Sequence, residues 1–202
     1  MYDLARMLVA FFAIIDPIGN VLIFYLLTQG LSPRQRAAVA TVAVTAAGAL
    51  LAAFAVGGRE LLVFLGISPA SFRVAAGLLL LLPAYRLVAA GQPLEWTGEK
   101  ADDPFQVALV PLAVPLIAGP GALATAISYR ETRGLGSTVL AMALVLLLSL
   151  GCFLAADWLF RRLGVAQLRL LSRLVGVLLF AIAVEFVLDG LRVFFGLGGP
   201  LG

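Results

Sequence analysis

Residues 11–24 read FFAIIDPIGNVLIF, an apolar run that is interrupted at its middle by Asp16, Pro17, Gly19 and Asn20. Apolar residues continue on both sides, so that residues 4–28 are long enough for one membrane span of about 20 residues. Proline and glycine are tolerated inside such a helix where neighbouring groups satisfy the freed backbone atoms. The stretch therefore predicts a membrane helix that is broken near its centre.

The composition of the chain also indicates a membrane protein. Of its 202 residues, 62% are apolar and only 12% are charged, whereas a soluble domain is about 45–50% apolar and about 25% charged. The 14 basic and 11 acidic residues are too few to cover the surface of a water-soluble fold of this size. We therefore predict that the lipid bilayer surrounds the chain.

The rare residue types exclude several classes of function. The chain has no histidine and a single cysteine, Cys152, which argues against imidazole sites, disulfide frameworks and iron–sulfur clusters. Its basic residues are scattered between apolar runs, so no nucleic-acid partner is expected. The motifs HExxH and GxSxG are absent from the sequence, and we expect neither an enzyme nor a bound metal or cofactor.

Six stretches of the sequence are apolar enough to span a membrane. They cover residues 4–28, 37–56, 69–90, 105–128, 137–156 and 170–195. The short segment 58–68 is expected to lie at the interface or to extend the third helix. The prediction is an all-α protein with a single transmembrane domain over residues 1–202, made of one repeat at 1–90, a linker at 91–104 and a second repeat at 105–195.

The two halves of the chain resemble each other in their glycines, arginines and broken helices. The matched positions are Gly66 with Gly164, Arg73 with Arg173, Gly77 with Gly176, and the Pro17 break with the Pro120 break. Because each unit has three spans, the second copy must cross the membrane in the opposite direction. We therefore predict two inverted three-helix repeats with helices 1 and 4 broken, the pattern of secondary transporters with a site at the membrane midplane.

The distribution of basic residues favours one orientation. Eight arginines and lysines fall on the side of the loops after helices one, three and five, and six fall on the other side. By the positive-inside rule, the first side is cytoplasmic and both termini lie outside.

Asp16 is the acidic residue that the span pattern places deepest in the membrane. An ionised carboxylate at that depth costs about 2.5–3.5 kcal/mol, so such residues usually face a pathway inside the bundle. Asp16 is also expected to cap the half-helix that begins at Pro17. Asn20 follows one helical turn later, so both side chains can face one cavity and bind a coupling proton or sodium ion.

The fourth span carries the second break, at Gly119, Pro120 and Gly121. Its glycines would let a ligand approach the backbone, and the half-helix that starts at Pro120 would offer free N–H groups to a carboxylate. Together with Asp16 and Asn20, this arrangement predicts a site for a small zwitterion. The predicted site residues are Asp16, Pro17, Gly19, Asn20, Gly119, Pro120 and Gly121.

Hydroxyl side chains provide weaker candidates for this site. Thr45 and Thr125 are included as substrate-binding candidates, although threonines in membrane helices most often donate to a backbone carbonyl. Several glycines are instead interpreted as small residues that allow close helix packing. These are Gly48, Gly77, Gly151 and Gly176.

The two break motifs resemble a known family. FFAIIDPIGNVLIF at residues 11–24 and PLAVPLIAGPGA at residues 111–122 look like the paired signatures of the MarC family of bacterial inner-membrane proteins, which includes the SnatA small neutral amino acid transporters. The resemblance covers nearly the whole chain. It implies a six-helix protein of inverted repeats that carries glycine and alanine through a site between the broken helices, driven by a proton or cation gradient.

Three functions remain open on this basis. The leading hypothesis is a secondary transporter whose partners are a small zwitterionic amino acid, a coupling proton or sodium ion and the lipid bilayer. The alternatives are an exporter of small amphipathic metabolites and a passive channel. The sequence also leaves open whether the chain forms a homo-oligomer.

Overall fold

The computed structural model describes residues 2–90 and 104–196. The predicted linker lies outside these residues, apart from Pro104. Every regular element in the described ranges is helical: α1 (Tyr2–Ile15), α2 (Pro17–Leu27), α3 (Pro33–Phe64), α4 (Pro69–Ala90), α5 (Pro104–Val107), a π-helical segment (Ala108–Ile117), α6 (Pro120–Arg133), α7 (Leu135–Leu154) and α8 (Ala156–Phe195).

These helices confirm the predicted all-α membrane fold. Five spans are long and apolar enough to cross a bilayer, and the bent pair around Gly119 makes a sixth when its two parts are counted as one. The spans are Asp3–Leu27, Pro33–Phe64, Pro69–Ala89, Pro104–Ile117 with Pro120–Arg133, Leu135–Leu154 and Arg169–Phe195. Each one overlaps a stretch that the sequence predicted.

The prediction for residues 58–68 needs a correction. The segment does not extend the third span. Residues 58–64 belong instead to α3, which is the second span and continues to Phe64. Gly58 stays helical, and a Cβ atom there would come within 2.7 Å of the Ile127 side chain. The chain turns only at Gly66, with φ at +70°, and α4 then begins at Pro69.

The broken first span lies at the centre of the bundle. In its most apolar window 72% of the residues are buried in the protein, against 22–39% in the four unbroken spans. Phe24 of this span stacks on Phe153 of α7, with ring centroids 4.8 Å apart. The break at Asp16 is therefore enclosed by other helices rather than by lipid.

The fourth span is irregular because of its prolines. A residue that precedes proline is driven towards extended backbone, and Val110 and Val114 stand directly before Pro111 and Pro115. Their φ angles of −132° and −134° are non-helical. The segment ends at Ile117, and α6 leaves the break at an angle of 56° to it.

Helices α4 and α8 form a closely packed antiparallel pair. A Cβ atom on Gly77 would lie 2.7 Å from the Ala183 carbonyl and 2.8 Å from Val187, and one on Gly176 would lie 3.0 Å from the Val88 amide. Gly77 and Gly176 are 99 positions apart, and so are Val88 and Val187. The Gly77–Val187 contact therefore has its counterpart in the Gly176–Val88 contact when the two halves of the chain are matched. This symmetry is consistent with the predicted inverted repeat.

The two ends of the bundle carry different interhelical ion pairs. We call one the ion-pair end, where three arginine–carboxylate pairs tie α6 to α1 and α3: Arg133 with Asp3 at 2.7 Å, Arg130 with Glu60 at 3.3 Å and Glu131 with Arg59 at 3.5 Å. We call the opposite end, where α4 finishes and α5 starts, the linker end. There Arg36 of α3 pairs with Asp157 of α8.

The contact of α1 with α6 gives a direct test of this arrangement. With Cys152 replaced by alanine, we expect Asp3→Cys and Arg133→Cys to be joined by a short bifunctional thiol reagent, because their native side chains touch at 2.7 Å. A protease site inserted between residues 91 and 103 would reveal the link, since the two fragments would stay together on a denaturing gel. Asp3→Cys with Asp157→Cys, at opposite ends, is the control, and cross-linking of the control pair alone would contradict the fold.

Candidate functional site

Asp16 forms the first half of the site. It is 3% exposed and adopts left-handed backbone geometry, with φ at 47°, which is uncommon outside glycine and often occurs at functional sites. Its Oδ1 atom accepts a hydrogen bond from the Gly19 amide at 3.0 Å. The predicted cap on the half-helix α2 is confirmed.

The other side-chain oxygens at this break have no partner in the described part of the chain. Asp16 Oδ2 and Asn20 Oδ1 are both buried and accept no hydrogen bond from residues 2–90 or 104–196. The Asn20 amide group is oriented by donating from Nδ2 to the Ile15 carbonyl at 2.7 Å. A buried acceptor without a donor is costly, so these two oxygens are suited to a bound ammonium group or cation.

Glycine is required beside the carboxylate. A Cβ atom on Gly19 would lie 2.0 Å from Asp16 Oδ2, which no side chain can satisfy without moving the carboxylate. Residues 16–20, with the sequence DPIGN, thus hold the Asp16 carboxylate over the start of α2. This contact accounts for a glycine at position 19, and the role of Gly19 in substrate binding stays a prediction.

The start of α6 forms the second half of the site. Gly119 is its N-cap and no described side chain caps the helix, while Pro120 has no N–H group to offer. The amides of Gly121 and Ala122 follow in the first turn, where helix N–H groups lack partners within the helix and favour an anion. Gly121 also packs against Leu80, whose Cδ2 atom would be 2.3 Å from an added Cβ atom.

A cavity of about 320 Å³ joins the two breaks. This volume is at the small end of the range for small-molecule sites, about 300–1,000 Å³. Its walls are mainly apolar and come from α1, α2, α4, α6, α8 and the π-helical segment. The lining residues are Ile14, Ile15, Asp16, Asn20, Leu79, Leu80, Leu82, Pro83, Arg86, Leu87, Pro115, Leu116, Gly119, Pro120, Gly121, Ala122 and Leu179.

The structure brings most of the predicted site residues together. Five of them line the cavity, namely Asp16, Asn20, Gly119, Pro120 and Gly121. Pro17 and Gly19 are buried in the α2 turn beside it. Thr125 is buried and donates to the Gly121 carbonyl at 2.7 Å, so it supports the first turn of α6.

Thr45 is not brought to the cavity. It lies on an exposed face of α3, and its hydroxyl donates to the Thr41 carbonyl of the same helix at 2.8 Å. The buried face of α3 is formed instead by small residues at helical spacing, including Ala43 and Ala47.

Sequence reasoning missed the contribution of α4. Leu79, Pro83 and Arg86 all line the cavity, although the sequence analysis selected none of them. Because proline has no N–H group, Pro83 leaves the Leu79 carbonyl without its helical donor, and residues four apart share one helix face. A proline inside the third span was the available signal for this side of the site.

The residues around the cavity show little capacity for a metal. Within the described ranges, no group of three or more histidine, cysteine, aspartate or glutamate side chains is close enough to hold an ion. The polar groups in the cavity wall are one carboxylate, one amide, the first-turn amides of α6 and one guanidinium group. This set can recognise a small molecule that carries both charges.

Comparison with known proteins places the chain in one family. The model of the MarC family of integral membrane proteins matches residues 1–195. The chain is 36% identical over 201 residues to UPF0056 membrane protein MJ1677 of Methanocaldococcus jannaschii, covering 94% of this chain and 98% of the relative. It is 31% identical to UPF0056 membrane protein YvbG of Bacillus subtilis, with 95% of each chain covered.

A further relative carries a description of its location. The chain is 30% identical over 202 residues to UPF0056 inner membrane protein YhgN of Escherichia coli K12, covering 96% of this chain and 98% of the relative. No solved structure matches the chain significantly. The match of the family model and these relatives over nearly the full length show that the chain belongs to the MarC (UPF0056) family of integral membrane proteins.

Proposed function

We propose that this protein is a secondary transporter of small neutral amino acids such as glycine and alanine, coupled to a proton or sodium gradient. The observation that carries the proposal is the pair of buried, unpartnered oxygens, Asp16 Oδ2 and Asn20 Oδ1, in one cavity with the uncapped start of α6. The ammonium group of a substrate fits the two oxygens, and its carboxylate fits the start of α6.

The size and walls of the cavity support this class of substrate. At about 320 Å³ the cavity is small, and its leucine, isoleucine and proline walls offer nothing to a polar side chain. The resemblance of the two break motifs to the signatures of the MarC family, which includes the SnatA small neutral amino acid transporters, supports the same class. We expect the substrate to be held by its α-amino and α-carboxylate groups.

Transport requires that the site open to each side of the membrane in turn. We propose that one three-helix repeat rocks against the other around the two breaks, as in other transporters built from inverted repeats. A location in the inner membrane is supported by the description of the Escherichia coli relative YhgN as an inner membrane protein. The termini are proposed to lie outside, on the arginine and lysine distribution alone.

The proposal predicts gradient-driven uptake of labelled glycine and alanine into proteoliposomes that contain the purified protein. Uptake should rise when a proton or sodium gradient is imposed and should vanish when that gradient is dissipated. Liposomes preloaded with unlabelled alanine should also accumulate labelled alanine by exchange, which a passive channel cannot produce. A folded protein that gives neither uptake nor exchange would contradict the proposal and favour an exporter of other metabolites.

A further inference from the structure

Arg86 is a cationic member of the cavity wall that the proposed substrate contacts leave unused. It lies in the last turns of α4, four residues before Ala90, and its side chain is exposed while Asp16 in the same cavity is buried. The guanidinium group is therefore at the mouth of the cavity, on the side of the linker end.

Arg86 makes no hydrogen bond or ion pair with any residue in the ranges 2–90 and 104–196. Other arginines at the bundle ends are occupied, as when Arg36 pairs with Asp157 or Arg130 pairs with Glu60. A guanidinium group has five N–H donors arranged to bind a carboxylate in a bidentate manner. No residue in the described ranges occupies those of Arg86, so within these ranges they can bind a ligand that enters the cavity.

The charges along the cavity are balanced and ordered. Among the described lining residues, Asp16 is the acid and Arg86 is the base, so the formal charges of these two cancel. The base is at the mouth and the acid is in the interior, next to Asn20. A zwitterion meets this sequence of charges without an unpaired charge, whereas a ligand with a net positive charge must pass the guanidinium group first.

We propose that Arg86 is a specificity-determining residue of the transporter: it binds the carboxylate of an amino acid that enters the cavity from the linker end, the side proposed to be cytoplasmic, and disfavours cationic amino acids. This inference rests on the proposed transport function. The carboxylate then moves to the start of α6 when the ammonium group reaches Asp16. Arg86 thus acts on substrate capture rather than on the final bound state.

The exposure of Arg86 limits the size of its effect. Charges at the rim of a site act mainly on the association rate, and exposed ion pairs are weak and screened by salt. We expect Arg86→Gln to raise the apparent KM for alanine by roughly two- to fivefold and to leave the maximal rate nearly unchanged. Increasing salt should raise the KM of the wild type and narrow this difference.

The measurement is alanine uptake into proteoliposomes in which the linker end of the protein faces the medium, over a range of substrate and salt concentrations, with lysine as a competitor. Arg34→Gln is the matched control, because Arg34 is an exposed arginine at the linker end of α3 that does not line the cavity. Lysine should inhibit Arg86→Gln more strongly than it inhibits the wild type or Arg34→Gln. Arg86→Lys should recover most of the wild-type KM, since it retains the charge.

The possible failures can be told apart. If the wild type transports no amino acid, the proposed function itself is wrong. If the wild type transports alanine but Arg86→Gln matches Arg34→Gln in KM, salt dependence and lysine inhibition, the role of Arg86 is wrong and the transport function stands. If Arg86→Gln lowers the maximal rate with an unchanged KM, Arg86 acts on the conformational change rather than on capture, and the proposal is overturned.

Discussion

Replacing Asp16 by asparagine is expected to abolish gradient-driven uptake while leaving the protein folded. Asparagine is as good an N-cap as aspartate and tolerates left-handed backbone geometry. Its carbonyl oxygen can therefore still accept from the Gly19 amide, as Asp16 Oδ1 does at 3.0 Å. The change is confined to the second oxygen, Oδ2, which becomes an uncharged donor group on a residue that lines the cavity.

Replacing that oxygen should reduce uptake strongly because the Asp16 side chain is buried. A substrate ammonium group would face an N–H donor in place of a carboxylate, with Asp16 only 3% exposed and little water to screen the mismatch. Breaking a buried, hydrogen-bonded charge pair costs about 2–5 kcal/mol, which corresponds to a loss of about thirtyfold or more. Uptake at low substrate concentration should fall to background.

The measurement is alanine uptake by wild type, Asp16→Asn and Asp189→Asn at equal amounts of folded protein. Asp189→Asn is the matched control, since it makes the same chemical change at an exposed i,i+3 ion pair with Arg192 that contributes little to stability. Equal thermal unfolding of the three proteins would show that the fold is retained. Full uptake by Asp16→Asn would show that the Asp16 carboxylate does not bind the substrate.

The core of this site was predictable because its groups are local in sequence. Asp16 and Asn20 are one helical turn apart, so any helix that continues through Asn20 places both on one face. The start of α6 followed from Pro120 between two glycines, where a new helix begins naturally. Both halves of the cavity were therefore encoded in short motifs, and the structure brings them together.

Whether a residue of a helix faces the cavity depends on the rotation of that helix, and packing against neighbouring helices sets this rotation. Thr45 was expected to face the site, but α3 buries Ala43 and Ala47 and leaves Thr45 exposed. Arg86 was not selected from the sequence, although it lines the cavity. No local pattern shows which way such a helix is turned, and for α4 the answer is set by its contact with α8.

The sequence predicted the packing glycines only in part. Gly77 and Gly176 do allow α4 and α8 to pack closely, and Gly48 has the Leu146 side chain 3.2 Å from an added Cβ atom. The interpretation of Gly151 as a packing glycine is wrong, because a Cβ atom there would meet nothing within 4 Å. Composition makes these glycines look alike, and only the position of the neighbouring helix separates them.

This difference between glycines predicts a large effect on stability. Gly176→Val should strongly destabilise the protein, because an added Cβ atom would lie 2.6 Å from Leu87 Cβ and 3.0 Å from the Val88 amide nitrogen. Neither atom is the end of a flexible side chain, so the two helices must move apart. Overpacking of this kind costs about 1–3 kcal/mol, and on that basis we expect the unfolding temperature to fall by roughly 2–12 °C.

Gly151→Val is the control that isolates this packing term. It places the same residue in another membrane helix, so the helix propensity of valine affects both variants equally, but the added side chain enters open space. Thermal unfolding in one detergent should therefore separate Gly176→Val from Gly151→Val, with the latter close to wild type. If both variants unfold at the same temperature, α4 and α8 are not held together at Gly176, and the symmetric contact between the two halves of the chain loses its support.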